Sequence, residues 1–155
     1  MKKNLALLLA VALAFTCMLG FGVTAEESAD DILVTVPMKA TVSILYAVKA
    51  AGNDDATVLI TAKDDVALGE PEAAEKLGTY QIGGVDYILF EYSNLAASEM
   101  GVVVTAQIGE KTVKYSVEQF GEAYIAQYDG NPEYVKQVKL VESMLAYGEA
   151  VAEMK

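Results

Sequence analysis

The sequence predicts an α+β chain, an antiparallel β-sandwich-like domain of six or seven strands followed by two C-terminal helices. Three observations carry this. From residue 32 to 115 apolar side chains recur at every second position, the period of a strand with one buried face. Short Gly-, Asn- and Asp-rich segments interrupt that pattern at hairpin-like intervals. At residue 116 the period changes to that of a helix and stays there. Strands followed by segregated helices pack as α+β.

In order, Ile32, Val34 and Val36 alternate up to Pro37, which suits a strand end or an edge strand. Val42, Ile44, Tyr46 and Val48 mark one face of a second strand, opposite Thr41, Ser43, Ala47 and Lys49. The turn Gly52-Asn53-Asp54-Asp55 leads to Val58, Ile60 and Ala62, and the two strands are predicted to form a hairpin. Residues 64–79 carry loop signals, Asp64-Asp65 and Gly69-Glu70-Pro71, with one helical turn expected over Glu72–Leu77. Tyr80–Ile82, Gly83-Gly84 and Val85–Tyr92 read as strand, tight turn, strand. The run YILFEY is apolar on both faces over part of its length and belongs in the middle of a sheet. Asn94–Met100 is a loop or a short helical turn, and Val102–Ile108 with Thr112–Tyr115 forms a hairpin across Gly109-Glu110.

Ser116-Val117-Glu118-Gln119 has the form of a capping box and opens the first helix. Val117, Phe120, Tyr124 and Tyr128 form its apolar stripe, and Asp129-Gly130 ends it. Asn131-Pro132 starts the second helix, Asn as N-cap and Pro at the first helical position. Its stripe is Tyr134, Val138, Val141 and Leu145, widened by Leu140, Met144, Tyr147 and Val151. The domain therefore spans 32–115 and 116–155 as one packed unit.

Residues 1–25 form a different kind of segment. Lys2 and Lys3 precede 19 uncharged residues, Leu5–Val23, and Val23-Thr24-Ala25 supplies small residues before Glu26. A cationic start, an apolar run and a small-x-small site are the parts of a cleavable secretory signal, with cleavage expected after Ala25. An uncleaved anchor is the alternative, because 19 residues just reach across a bilayer. Lipidation at Cys17 fits poorly, since Ala14-Phe15-Thr16 is a bad lipoprotein box. Residues 26–31, EESADD, read as a disordered acidic lead-in.

Composition then excludes whole classes of chemistry. The 155 residues contain 11 lysines, 22 acids, no arginine, no histidine and no tryptophan, and the one cysteine lies in the signal. Loss of two lysines with the signal takes the net charge from −11 to −13. Without His or Cys the processed chain has no Ser-His-Asp triad, Cys-His pair, zinc site, thiol centre or disulfide. An acidic chain with scattered lysines is a poor partner for nucleic acid and for anionic membranes. No cofactor is expected.

The C-terminal third resembles a known arrangement. Tyr115-Ser116-Val117-x-x-Phe120 and Ser143-Met144-Leu145-x-Tyr147-Gly148-x-Ala150 are similar to the helical hairpin of a recurrent module in extracellular proteins of gut Clostridia. Asn94–Met100 is similar to that module's inter-strand turn, so the resemblance covers residues 32–155. It implies secretion and a surface or cell-envelope setting, and no activity that carries over to named residues. In packing terms, Gly148 gives the last helix room to approach the sheet and Tyr147 fills the flank.

Candidate chemistry is sparse. The acid pairs Asp30-Asp31, Asp54-Asp55 and Asp64-Asp65 lie in turns or in the tail, where a glycosidase pair spanning a sugar is not expected. Calcium is the one metal the composition suits, with Asp54, Asp55 and Asp129 as weak oxygen ligands. Among nine tyrosines, Tyr46, Tyr124, Tyr128, Tyr134 and Tyr147 fall on inferred buried faces. Tyr80, Tyr87 and Tyr92, on or beside the central hairpin, are the candidates for a binding patch. The expected function is a non-enzymatic secreted binding module for an extracellular protein or glycan. The alternatives are a small hydrolase working with carboxylates alone and a structural envelope component without a discrete ligand.

Overall fold

The structure, a computed structural model, describes residues 31–37 and 41–154. The predicted signal and residues 26–30 of the lead-in lie outside the described residues. Asp31, the last residue of that lead-in, is held in place rather than disordered: its carboxylate pairs with Lys111 at 3.3 Å and with Lys49 at 3.5 Å.

Eight antiparallel strands precede two helices, the predicted α+β order. The strands are β1 (Ile32–Thr35), β2 (Ile44–Lys49), β3 (Leu59–Lys63), β4 (Val66–Ala73), β5 (Glu75–Ile82), β6 (Val85–Tyr92), β7 (Val104–Ile108) and β8 (Lys111–Tyr115). A 3-10 turn covers Ala97–Glu99, and the helices are α1 (Val117–Tyr128) and α2 (Val135–Glu153). Sheet A has the order β1-β2-β6-β5 and sheet B the order β4-β3-β7-β8.

The main core lies between the sheets. Ile44, Tyr46, Val48, Ile88, Phe90 and Tyr92 from sheet A meet Ile60, Val104, Ala106, Val113 and Tyr115 from sheet B. Val117, Phe120 and Tyr124 of α1 and Val138 and Val141 of α2 join the same cluster. The alternation read from the sequence is this inner face, and strand geometry sends every second side chain into it.

Three expectations are corrected. The strands β2 and β3 do not form a hairpin: β2 pairs with β1 and β6, while β3 pairs with β4 and β7. The turn around Asn53, whose Nδ2 donates to the Lys49 carbonyl at 3.0 Å, carries the chain from one sheet to the other. Polar turn chemistry fixes a local reversal, and it does not fix which strand lies alongside.

Residues 64–79 are not a loop with a helical turn. Asp64 and Asp65, both with positive φ, form a tight turn into β4, and the chain passes from β4 to β5 through Ala74. Asp tolerates this left-handed backbone better than most side chains. The two strands are edges of different sheets, and their side chains are mostly exposed. An edge strand that buries little has no need of apolar alternation, and Pro71 is tolerated where one side of the ladder is open. Helix-forming side chains at Glu72–Leu77 are overridden by pairing with β3 and β6.

The first helix is capped as predicted. Ser116 Oγ accepts from the Gln119 amide at 3.1 Å, and Gln119 Oε1 accepts from the Ser116 amide at 2.9 Å. The second helix begins at Val135, later than expected. Asn131 Oδ1 accepts from the Glu133 amide at 3.0 Å, so Asn131-Pro132 organises a separate turn before the helix.

Candidate functional site

Sheet A differs from an ordinary sandwich sheet on its reverse face. Strand pairing places Leu33 beside Ala47, Ala47 beside Leu89 and Tyr80 beside Tyr87. Leu45, Ala47, Ile82, Tyr87 and Leu89 form a second buried cluster, with Leu33 and Tyr80 packed against it. This cluster lies on the opposite side of the sheet from Tyr46, Ile88 and Phe90, because neighbouring residues of one strand point to opposite faces. The YILFEY run is thus two-sided: Ile88 and Phe90 serve the main core, Tyr87 and Leu89 the reverse face.

The three candidate tyrosines do not form one patch. Tyr80 is half-buried at the rim of the reverse face, and Tyr87 is buried within it. Tyr92 points the other way, into the main core, and is 2 % exposed. Its hydroxyl donates to Glu72 Oε2 at 2.6 Å, and Asn94 Nδ2 donates to the same oxygen at 2.8 Å. These bonds tie β6 and the following loop to β4. The hydrogen bond from Tyr92, reinforced by Asn94, holds the Glu72 carboxyl below the usual carboxylate range. Burial first, and then the Glu72 bond, push the Tyr92 hydroxyl upward. A carboxylate kept ionised in this way has no proton to give, so this cluster is a brace and a poor general acid.

Of the other tyrosines expected inside, Tyr46 and Tyr124 are buried, and Tyr128 and Tyr134 are half-buried. The rings of Phe120, Tyr124, Tyr128 and Tyr134 follow one another at centroid separations of 5.9, 4.8 and 4.3 Å. Tyr147 is corrected: it is 60 % exposed and fills no flank. A helix as long as α2 cannot turn the whole widened stripe inward, and Leu140 and Tyr147 are left on the outer side.

Gly148 does give close approach, to the 3-10 turn rather than to the sheet. A Cβ there would lie 2.7 Å from Met100 Sδ and 3.2 Å from the Ala97 carbonyl. Gly121 plays the same part between the helices, where a Cβ would lie 2.8 Å from Leu145 Cδ1. A groove of about 600 Å³ runs beside these contacts, with Met100, Ile125 and Leu145 in its lining and Glu118, Glu142 and Glu149 among its acids. Leu145 and Gly148 of the helical motif are therefore spent on packing, and Tyr147 is not.

Asp54 and Asp55 are exposed in the turn between β2 and β3, and Asp129 is exposed at the C-cap of α1. Among the described residues, no group of three or more His, Cys, Asp or Glu is placed to hold a metal. Among the same residues, no helix is long and apolar enough to cross a membrane. The reverse face of sheet A was legible only in part, through YILFEY; Leu33, Leu45 and Ala47 gave no sign of sharing a surface with it. The chain matches no family model, no curated protein and no solved structure.

Proposed function

We propose that the chain is exported and that its processed form is a non-enzymatic binding module. Its contact surface is the reverse face of sheet A, and its partner is an extracellular or envelope protein with an apolar surface. The observation that carries this reading is the apolar cluster of Leu45, Ala47, Ile82, Tyr87 and Leu89 on the side of the sheet away from the main core. The cluster itself is buried, and its half-buried rim, Leu33 and Tyr80, is the apolar edge offered to a partner. Its centre is aliphatic, which favours a protein over a glycan, whose hydroxyls need convergent polar groups. The acidic remainder of the surface keeps such a protein dispersed until the partner is met. The absence of His and Cys from the processed chain favours binding over hydrolysis.

Two measurements test it. The protein recovered from the medium of a Gram-positive host should begin at Glu26; an intact Met1 end retained in membranes would support the anchor instead. The same secreted protein should co-sediment with the producer's envelope fraction. Leu33→Lys and Tyr80→Lys, at half-buried rim positions, should abolish that while leaving circular dichroism unchanged. Equal co-sedimentation of folded wild type and variants would remove the reverse face from the interaction.

A further inference from the structure

We propose that the groove between α2, α1 and the Met100–Val102 segment is a second binding site. Its ligand is a cationic amphipathic peptide, a chain in which Lys or Arg alternates with apolar side chains. This site does not depend on the reverse face of sheet A.

Three local contacts fix the walls. Gly148 brings α2 against the 3-10 turn, where a Cβ would lie 2.7 Å from Met100 Sδ. The Glu118 amide donates to the Met100 carbonyl at 2.9 Å, which pins the same segment to the start of α1. Asp64 Oδ1 accepts from the Val103 amide at 2.8 Å, which holds that carboxylate beside the segment. Between these walls lie about 600 Å³, a volume typical of ligand clefts. The floor is open to solvent: Val102, Ile125 and Leu145 are half-buried, and Ala146 and Ala152 are exposed.

Charge and apolar surface together select the ligand. Asp64, Glu118, Glu142 and Glu149 line the groove, and no lysine does. Elsewhere carboxylates have cationic partners: Asp31 has Lys49 and Lys111, Asp65 has Lys114, and Glu99 has Lys63. Glu118, Glu142 and Glu149 have no ion pair among the described residues. Like charges along a cleft with apolar walls focus their field there and draw in the opposite charge. The carboxylates are spread out: Glu142 and Glu149 are about 10 Å apart along the axis of α2, at ~1.5 Å per residue. Among the described residues no group of three or more His, Cys, Asp or Glu is placed to hold a metal. The complement is therefore a chain carrying several cations rather than a single ion. Acids alone make an ordinary wetted surface, where each exposed pair contributes little. The floor between them adds the apolar half of the match. In an extended peptide alternate side chains point to opposite faces. Its apolar face lies on Val102, Ile125 and Leu145, and its long cationic side chains reach back to the rim.

The test is a fluorescence-anisotropy titration of the purified protein with a labelled peptide of alternating Lys and Leu. Peptides of alternating Lys and Ser and of alternating Glu and Leu are the comparisons. Saturable binding of the Lys-Leu peptide is expected, with clearly weaker binding of the Lys-Ser peptide and none of the Glu-Leu peptide. Glu142→Gln combined with Glu149→Gln should weaken binding about tenfold, the order expected when two exposed ion pairs are lost. Both residues are exposed on α2, so the variant keeps its fold, which circular dichroism checks. Glu70→Gln combined with Glu110→Gln removes the same charge from exposed positions outside the groove lining. That pair should change the affinity by less than about twofold at physiological salt. No binding of the Lys-Leu peptide to the folded protein overturns the proposal. So does equal binding of the Lys-Ser peptide, which would leave charge alone, or an equal loss in the two double variants, which would leave no site.

Discussion

The outer faces of the two sheets are built on opposite plans. Sheet B turns Gln107, Thr112 and Lys114 outward, all three exposed, with Thr105 on the same side of β7 buried. Sheet A turns Leu45, Ala47, Tyr87 and Leu89 to the corresponding side, and all four are buried. Both sheets contribute equally apolar inner faces to one core. The difference teaches that strict alternation, as over Thr112–Tyr115 of β8, reports a strand with one wet side, whereas a broken alternation such as YILFEY reports burial on both. Sheet A buries apolar side chains on both of its faces, and that asymmetry is where the functional reading rests.

The largest effect should come from the face the sheets share. Phe90, 2 % exposed in the main core, should cost about 3–5 kcal/mol when replaced by Ala, as for other buried aromatic truncations. Urea melts measure it. A loss no larger than that of an outer-face variant would mean that the inner faces are not the principal core.

Alkali should strike sheet A harder than sheet B. Burial raises the hydroxyl pKa of Tyr46 and Tyr92 in sheet A and pushes Tyr115 in sheet B up to about 12. A raised folded-state pKa favours the protonated form, so this stability is complete below the unfolded tyrosine value of about 10 and is lost as pH rises through the folded values. A pH titration followed by circular dichroism and tyrosinate absorbance should show ionisation and unfolding together above that point. Tyrosinate appearing with the ordinary pKa in a still-folded protein would contradict the burial of these rings.

Tyr46→Phe sharpens the view of sheet A from the inside. The Tyr46 hydroxyl is fully buried and has no hydrogen-bond partner among the described residues. Removing a buried, unpartnered hydroxyl should leave stability unchanged or raise it by about 1–2 kcal/mol. A clear loss in urea melts would reveal a partner for that oxygen.

Gln107→Ala, on the wet side of sheet B, should change stability least, within about 0.5 kcal/mol. A cost of several times that would show that the outer face of sheet B is covered too, and the contrast between the sheets would disappear.

Much of this was written in local chemistry. The fold class, the change from strand to helix at Ser116, the β5–β6 and β7–β8 hairpins and the capping box all follow from period, turn residues and side chains within a few positions of one another. So do the residue types that make His- and Cys-based chemistry impossible after residue 25. Tertiary structure decided the rest. It split β2 and β3 between sheets, because a turn fixes where the chain reverses and not which neighbour completes the ladder. It made strands of most of residues 66–79, because edge pairing supplies backbone hydrogen bonds without demanding an apolar pattern. It sent Tyr92 inward and Tyr87 to the reverse face, since their separation by an odd number of residues puts them on opposite sides of one strand. Which of those sides is wet depends on what lies above the sheet, and that is a property of the assembled layers rather than of any stretch of sequence.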